Sequence, residues 1–121
     1  MRITLQAYLK GSIEAVELYQ KAFDATLGYH VQNPDNTYMH AEINMNEQNI
    51  ISISESNDWA ISGKNMQFCI TFGSENAEAM KKAYEVLKED GQILYPLGPC
   101  DWSKCMADLV DKFGVRWYLS L

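Results

Sequence analysis

One helical pattern occurs twice in this chain, half a chain apart. The first copy is Ser12–Phe23, SIEAVELYQKAF, and the second is 76–87, NAEAMKKAYEVL. Apolar residues recur in both copies at the three- and four-residue spacing of a helix with one buried face. Ser12 and Asn76 lead the two copies and are predicted to cap the free amides of the first turn. The copies start 64 positions apart in a chain of 121 residues, which indicates a duplicated module of about sixty residues.

Each copy of the helix is set among strands in the same order. Alternation of apolar and polar residues predicts one strand before each helix, at 3–10 and 66–72, and three strands after it. Asp90 and Gly91 are expected to end the second helix. The prediction is an α+β fold with two tandem βαβββ modules forming a cupped mixed sheet, with the helices on its outer face. Residues 1–121 then form a single domain, with module one at 1–55, a linker at 56–64 and module two at 65–121.

Charge and hydropathy exclude several classes of partner. The net charge of -6 argues against a nucleic acid or an anionic membrane surface, because both are bound through clustered Lys and Arg. No window approaches the roughly 20 apolar residues of a membrane span, and the first residues do not form a signal peptide, so a cytoplasmic protein is expected. The three cysteines, Cys69, Cys100 and Cys105, are expected to be reduced thiols rather than a disulfide framework.

Four short motifs carry a family resemblance. They are Tyr-Leu-x-Gly at 8–11 followed by Glu-Ala at 14–15, Met-His-Ala-Glu at 39–42, the segment 91–96, and the closing segment 102–117, WSKCMADLVDKFGVRW. Together with the duplicated βαβββ order, they resemble the PhnB-like (demethylubiquinone methyltransferase-like) branch of the vicinal oxygen chelate superfamily of glyoxalases, bleomycin-resistance proteins and dioxygenases. The resemblance implies a homodimer that binds a small molecule on the concave side of its sheet. No glycine-rich loop for a methyl donor is found, and no cofactor is expected.

The resemblance also implies where a metal ion would sit. In the metal-dependent members, each module supplies one ligand from its first strand and one from its last strand. The matching positions here are Gln6 and Gln67 on the first strands, and Ser52 or Ser54 and Tyr118 on the last strands. Amides, hydroxyls and a phenol are poor ligands for Zn²⁺, Ni²⁺ or Fe²⁺, which favour imidazole, carboxylate or thiolate. No metal site is therefore expected in this chain.

The polar rows of the strands nominate the lining of a site. If the apolar rows face the helices, the opposite rows face the ligand; their members are Gln6, Tyr8, His40, Glu42, Ser52, Ser54, Gln67, Cys69 and Tyr118. Trp102, in a loop, is a further candidate for a ligand wall, whereas Trp117 is predicted to fill the core by alternation. His40 and Glu42 stand two apart on one strand and are the candidate catalytic pair, with imidazole as the acid-base group. The alternative is a strand histidine that is hydrogen-bonded to its neighbours.

Three functions fit these observations. The first is a small-molecule-binding protein of the PhnB-like branch without the usual metal. The second is a lyase, isomerase or transferase of the glyoxalase and dioxygenase type, metal-dependent or assisted by His40 and Glu42. The third is a structural or regulatory dimer with no ligand at all.

Overall fold

The computed structural model describes residue 1, residues 3–57 and residues 66–121. These residues form two compact units, one on each side of the segment 58–65. Most of the predicted linker therefore lies outside the described residues. No helix in the described part of the chain has the length and apolar character needed to cross a membrane.

The first unit follows the order β1 (Gln6–Leu9), α1 (Ser12–Phe23), β2 (Thr26–Gln32), β3 (Tyr38–Met45) and β4 (Gln48–Glu55). Its four-stranded sheet has the order β1-β4-β3-β2. β1 runs parallel to β4, and the other neighbouring pairs are antiparallel. β1 is shorter than the predicted strand 3–10 at both ends.

The second unit repeats this order with β5 (Phe68–Thr71), α2 (Ala77–Leu87), β6 (Gln92–Cys100), β7 (Ser103–Val110) and β8 (Arg116–Ser120). A short 3-10 helix, Ser74–Asn76, leads into α2. The sheet order β5-β8-β7-β6 is the counterpart of the first sheet, again with the first and last strands parallel. The predicted α+β class and the two βαβββ modules are confirmed.

Each helix packs on one face of the sheet in its own unit. The face under α1 is fully buried and consists of Ala41, Ile43, Ile51 and Ile53. The face under α2 is equally buried and consists of Ala107, Leu109, Trp117 and Leu119. The prediction that Trp117 belongs to the core is confirmed. Because side chains alternate along a strand, the opposite face of each sheet carries the polar rows.

The start of α1 shows that the prediction for Ser12 was wrong. Gly11, with a left-handed φ of 89°, precedes the helix, and Ser12 lies inside it without capping the first turn. The cap is instead the carboxylate of Glu55, which accepts hydrogen bonds from the backbone N–H of Gly11 (2.9 Å), the N–H of Ser12 (3.0 Å) and the Ser12 hydroxyl (2.9 Å). The Ser12 hydroxyl also accepts a bond from the N–H of Tyr38 (2.9 Å), so it joins α1 to β3.

The prediction for Asn76 also needs correction. Asn76 precedes α2 as expected, but its side chain makes no cap hydrogen bond. Its amide group donates to the carbonyl of Phe72 at 2.7 Å. The side chain therefore closes the turn before the helix and accepts no hydrogen bond from the amides of the first turn.

Asp90 and Gly91 have different roles at the end of α2. Asp90, with a φ of 56°, is the left-handed residue that follows the helix. Gly91 is needed for space, because a Cβ atom there would lie 2.4 Å from the carbonyl oxygen of Val110 and 3.2 Å from the Cα of Asp111.

We expect Gly91→Ala to lower the free energy of unfolding by about 1–3 kcal/mol, since backbone atoms of β7 must move to admit the methyl group. Chemical denaturation measures this change. Gly98→Ala is the matched control, because the nearest atom to its Cβ is a carbonyl oxygen at 4.0 Å. Equal stability of the two variants would contradict the close approach at Gly91.

Candidate functional site

The side of the first sheet that faces away from α1, called here the first polar face, brings six predicted site residues together. Its members are Gln6, Tyr8, His40, Glu42, Ser52 and Ser54. In the register of the strands, Gln6 lies beside Ser52 and Tyr8 beside Ser54, while Ser52 lies beside Glu42 on its other side. Three strands therefore contribute neighbouring polar groups to one surface.

Neutral hydrogen-bonding groups form the centre of the first polar face. Ser52 and Ser54 are both buried, with exposed fractions of 4% and 8%. The side-chain amide of Gln6 donates a hydrogen bond to the Ser54 hydroxyl. Gln6 pairs with Ser52 along the backbone, but its side chain contacts Ser54.

His40 and Glu42 form the charged part of this face. His40 Nε2 lies 3.7 Å from Glu42 Oε1, and the two side chains are 32% and 27% exposed. That distance is longer than a hydrogen bond but within the range of an ion pair. The ring of Tyr29, on β2, lies 6.1 Å from the His40 ring at a tilt of 46°. An acid-base group thus stands beside a carboxylate in a partly desolvated position.

Gly28 is a residue of this region that the sequence did not single out. A Cβ atom at Gly28 would come within 2.3 Å of the Asn44 side-chain amide and 3.4 Å of Glu42 Cβ. A bulge in the pairing of β2 with β3 occurs at the same place, between Leu27 and His30. The glycine leaves room for the side chains of β3, and only its spatial neighbours reveal this.

The second sheet has a corresponding polar side, called here the second polar face. Tyr118 lies beside Cys69 on one flank and beside Asp108 on the other. Trp102, in the turn between β6 and β7, is exposed and donates its indole N–H to the Tyr118 hydroxyl at 3.0 Å. Gln67 is exposed and lies one residue before β5 begins. Within this unit, the structure places Cys69, Trp102 and Tyr118 together.

An ion pair on the second polar face was missed from the sequence. Arg116 donates from Nε to Asp108 Oδ1 at 3.0 Å and from Nη2 to Oδ2 at 2.6 Å. The hydrogen bonds to Asp108 raise the pKa of Arg116 above its usual value. Side chains alternate along β8, so Arg116 could have been assigned to the same face as Tyr118 from the sequence. Its partner Asp108 could not, because the pairing depends on the register between β7 and β8.

The residues at the family's metal positions do not fit a divalent transition metal. On the first polar face, the amide of Gln6 and the hydroxyls of Ser52 and Ser54 are neutral oxygen and nitrogen donors. On the second, Gln67 and the phenol of Tyr118 are no better suited. Among residues 1, 3–57 and 66–121, no group of three or more His, Cys, Asp or Glu side chains could hold a metal ion. Cys69, Cys100 and Cys105 are free thiols.

The chain was compared with known families, curated proteins and solved structures. No protein-family model and no curated protein matches the chain. Among solved structures, a PhnB protein from Bacillus cereus, named as a candidate 3-demethylubiquinone-9 3-methyltransferase, is similar with a TM-score of 0.84 and 29% identity. The match covers 100% of this chain and 99% of that chain.

Two further neighbours are more distant in sequence. A Pseudomonas aeruginosa protein has a TM-score of 0.84 at 21% identity over 99% of this chain and 96% of that chain. The fosfomycin resistance protein FosX from Listeria monocytogenes, solved with Mn(II) and a sulfate ion, has a TM-score of 0.69 at 14% identity over 99% and 88%. The resemblance to the vicinal oxygen chelate superfamily, with PhnB-like proteins among the neighbours, is confirmed.

Proposed function

We propose that this chain, which has the vicinal oxygen chelate fold and PhnB-like structural neighbours, binds a small molecule on its polar sheet faces without the superfamily's metal ion. The observation that carries the proposal is the neutral character of the side chains at the positions that the resemblance assigns to metal ligands: Gln6 donates a hydrogen bond to Ser54 and lies beside Ser52. The FosX neighbour was solved with Mn(II), whereas this set offers a divalent ion no charged ligand. Neutral donors and acceptors suit the recognition of an organic molecule.

The build of the two faces supports a ligand-binding role. The buried hydroxyls of Ser52 and Ser54 form a polar floor on the first polar face, and such groups usually fix a ligand's orientation in a site. On the second polar face, the hydrogen bond to Tyr118 holds the exposed indole of Trp102 in place. A side chain that is already ordered costs less entropy when a ligand binds to it.

A direct test examines protein purified without chelator. We expect elemental analysis to find far less than one Zn, Ni, Mn or Fe per chain, and native mass spectrometry to detect a small organic molecule that Ser54→Val or Trp102→Ala depletes. Ser74→Ala, at an exposed serine outside both faces, is the control and should retain the molecule. One equivalent of metal per chain that disappears in Gln6→Ala or Gln67→Ala would refute the proposal.

A second candidate function, a lyase, isomerase or transferase, is favoured by the 3.7 Å approach of His40 to Glu42. His40 would move a proton to or from the substrate, and Glu42 would stabilise the imidazolium. We expect His40→Ala to lower such an activity by about 10²–10⁴-fold and Glu42→Gln to lower it less. A screen of small electrophilic and enolisable substrates with the parent and both variants measures this. Unchanged turnover and ligand affinity in both variants would exclude the mechanism.

The proposed ligand-binding form is a homodimer. β6 is an edge strand of the second sheet, and Ile93, Leu94 and Tyr95 expose apolar surface along it. Edges and apolar patches of this kind are commonly covered by a symmetric partner. Sedimentation that shows a monomer at micromolar concentration would rule out the dimer.

A further inference from the structure

We propose that the first polar face binds an organic cation, an amine or a quaternary ammonium group, with the carboxylate of Glu42 as its counter-ion. This inference rests on the proposed function and names the ligand class of its site. It follows from the charges on this face and from the aromatic rings around it.

The charge balance of the four strands favours a cation. They contain no Lys or Arg, and their two carboxylates are Glu42 and Glu55. Glu55 is engaged in capping α1, so Glu42 supplies the negative charge of the first polar face. Lys10 lies just beyond β1, two positions from Tyr8, and its backbone is about 13 Å along the strand from Gln6, which is level with Glu42. Lys10 also makes an interaction of its own.

Glu42 is available to an external partner. Within the described residues, its recorded partner is His40 at 3.7 Å, beyond hydrogen-bond distance. The side chain is only 27% exposed, so part of its hydration is already removed. A partly desolvated carboxylate attracts a cation more strongly than a fully solvated carboxylate does, because the effective dielectric constant around it is lower. The same carboxylate would repel an anionic ligand.

Two aromatic rings add to this preference. Tyr8 is 72% exposed on β1, beside Ser54, and Tyr29 is 67% exposed and packs near the His40 ring. The face of a phenol ring attracts ammonium groups through its quadrupole, with a preference for quaternary and alkylated amines that shed their water easily. The neutral floor of Gln6 and Ser54 adds hydrogen-bonding capacity without competing charge.

The test uses choline, which stays charged at every pH, and its neutral isostere 3,3-dimethylbutan-1-ol. Isothermal titration or NMR titration of the full chain at about pH 8 is expected to show choline binding roughly tenfold more tightly than the isostere.

Two variants assign this effect. Glu42→Gln abolishes the preference for choline over the isostere. Glu17→Gln, the same change of charge on the exposed side of α1, is the matched control and retains the preference. Equal binding of choline and the isostere, or no binding of choline, would overturn the inference. If an uncharged molecule instead copurifies and is lost in Ser54→Val, the ligand class is wrong while the proposed binding function stands.

Discussion

Asp111→Ala is expected to lower the free energy of unfolding by about 3–5 kcal/mol, because one buried carboxylate satisfies three donors in the turn before β8. Asp111 is 3% exposed. Its Oδ1 accepts hydrogen bonds from the backbone N–H of Phe113 (2.9 Å) and of Val115 (3.1 Å), and Oδ2 accepts one from the indole N–H of Trp117 (2.8 Å). Trp117 is fully buried, so its N–H cannot turn to water when the carboxylate is removed. Urea denaturation followed by tryptophan fluorescence measures the loss.

Two further substitutions separate the parts of this effect. Trp117→Phe removes the indole donor, and a double-mutant cycle with Asp111→Ala should give a coupling energy of about 1–3 kcal/mol. Asp101→Ala, at an exposed aspartate in the turn between β6 and β7, is the matched control and should change stability by less than about 0.5 kcal/mol. Strict additivity of the two substitutions would show that the bond between Asp111 and Trp117 contributes nothing.

Glu55→Gln is expected to lower the free energy of unfolding by about 2–4 kcal/mol through loss of the cap of α1. The carboxylate accepts two backbone N–H bonds and the Ser12 hydroxyl bond at the positive end of the helix. An amide replaces one accepting oxygen with a donor, which then faces an N–H group. Ser12 is fully buried, so the displaced hydroxyl has no access to solvent. Thermal unfolding should show a decrease in Tm of roughly 5–15 °C.

The control for Glu55 is Glu17→Gln, which makes the same change of charge on the exposed side of α1. It should leave Tm within about 2 °C of the parent. Hydrogen exchange at the first turn of α1 gives a second measurement, because the amides of Gly11 and Ser12 lose their protection in Glu55→Gln alone. Similar Tm values for the two variants would mean that the carboxylate of Glu55 does not hold the helix.

Much of the fold could be predicted because it depends on local periodicity. The helical spacing in Ser12–Phe23 and the alternation in β3 each follow from how a side chain projects from a regular backbone. The same alternation placed His40 and Glu42 on the polar side of the sheet, as the structure shows. The helix caps were mispredicted, because Ser12 and Asn76 have alternative hydrogen-bond partners that a local pattern does not contain.

The sequence predicted which residues of each strand belong to the candidate site, but not which residues of different strands are neighbours. Gln6, Ser52 and Glu42 were each assigned to a polar row, but their adjacency depends on β4 lying between β1 and β3. The ion pair of Asp108 with Arg116 was missed for the same reason, since its partners lie on different strands.

The amino-acid sequence by itself determined the duplicated βαβββ order, the buried face of each helix and the polar row of each strand. These features follow from residue spacing, because the periods of 3.6 and 2 decide which side chains share a face. The tertiary structure decided which residues are partners: Glu55 caps α1 across 44 positions, Gln6 contacts Ser54 across 48, and Trp102 contacts Tyr118 across 16. Such pairings depend on strand order and register, which are set by the packing of the whole unit rather than by any one segment.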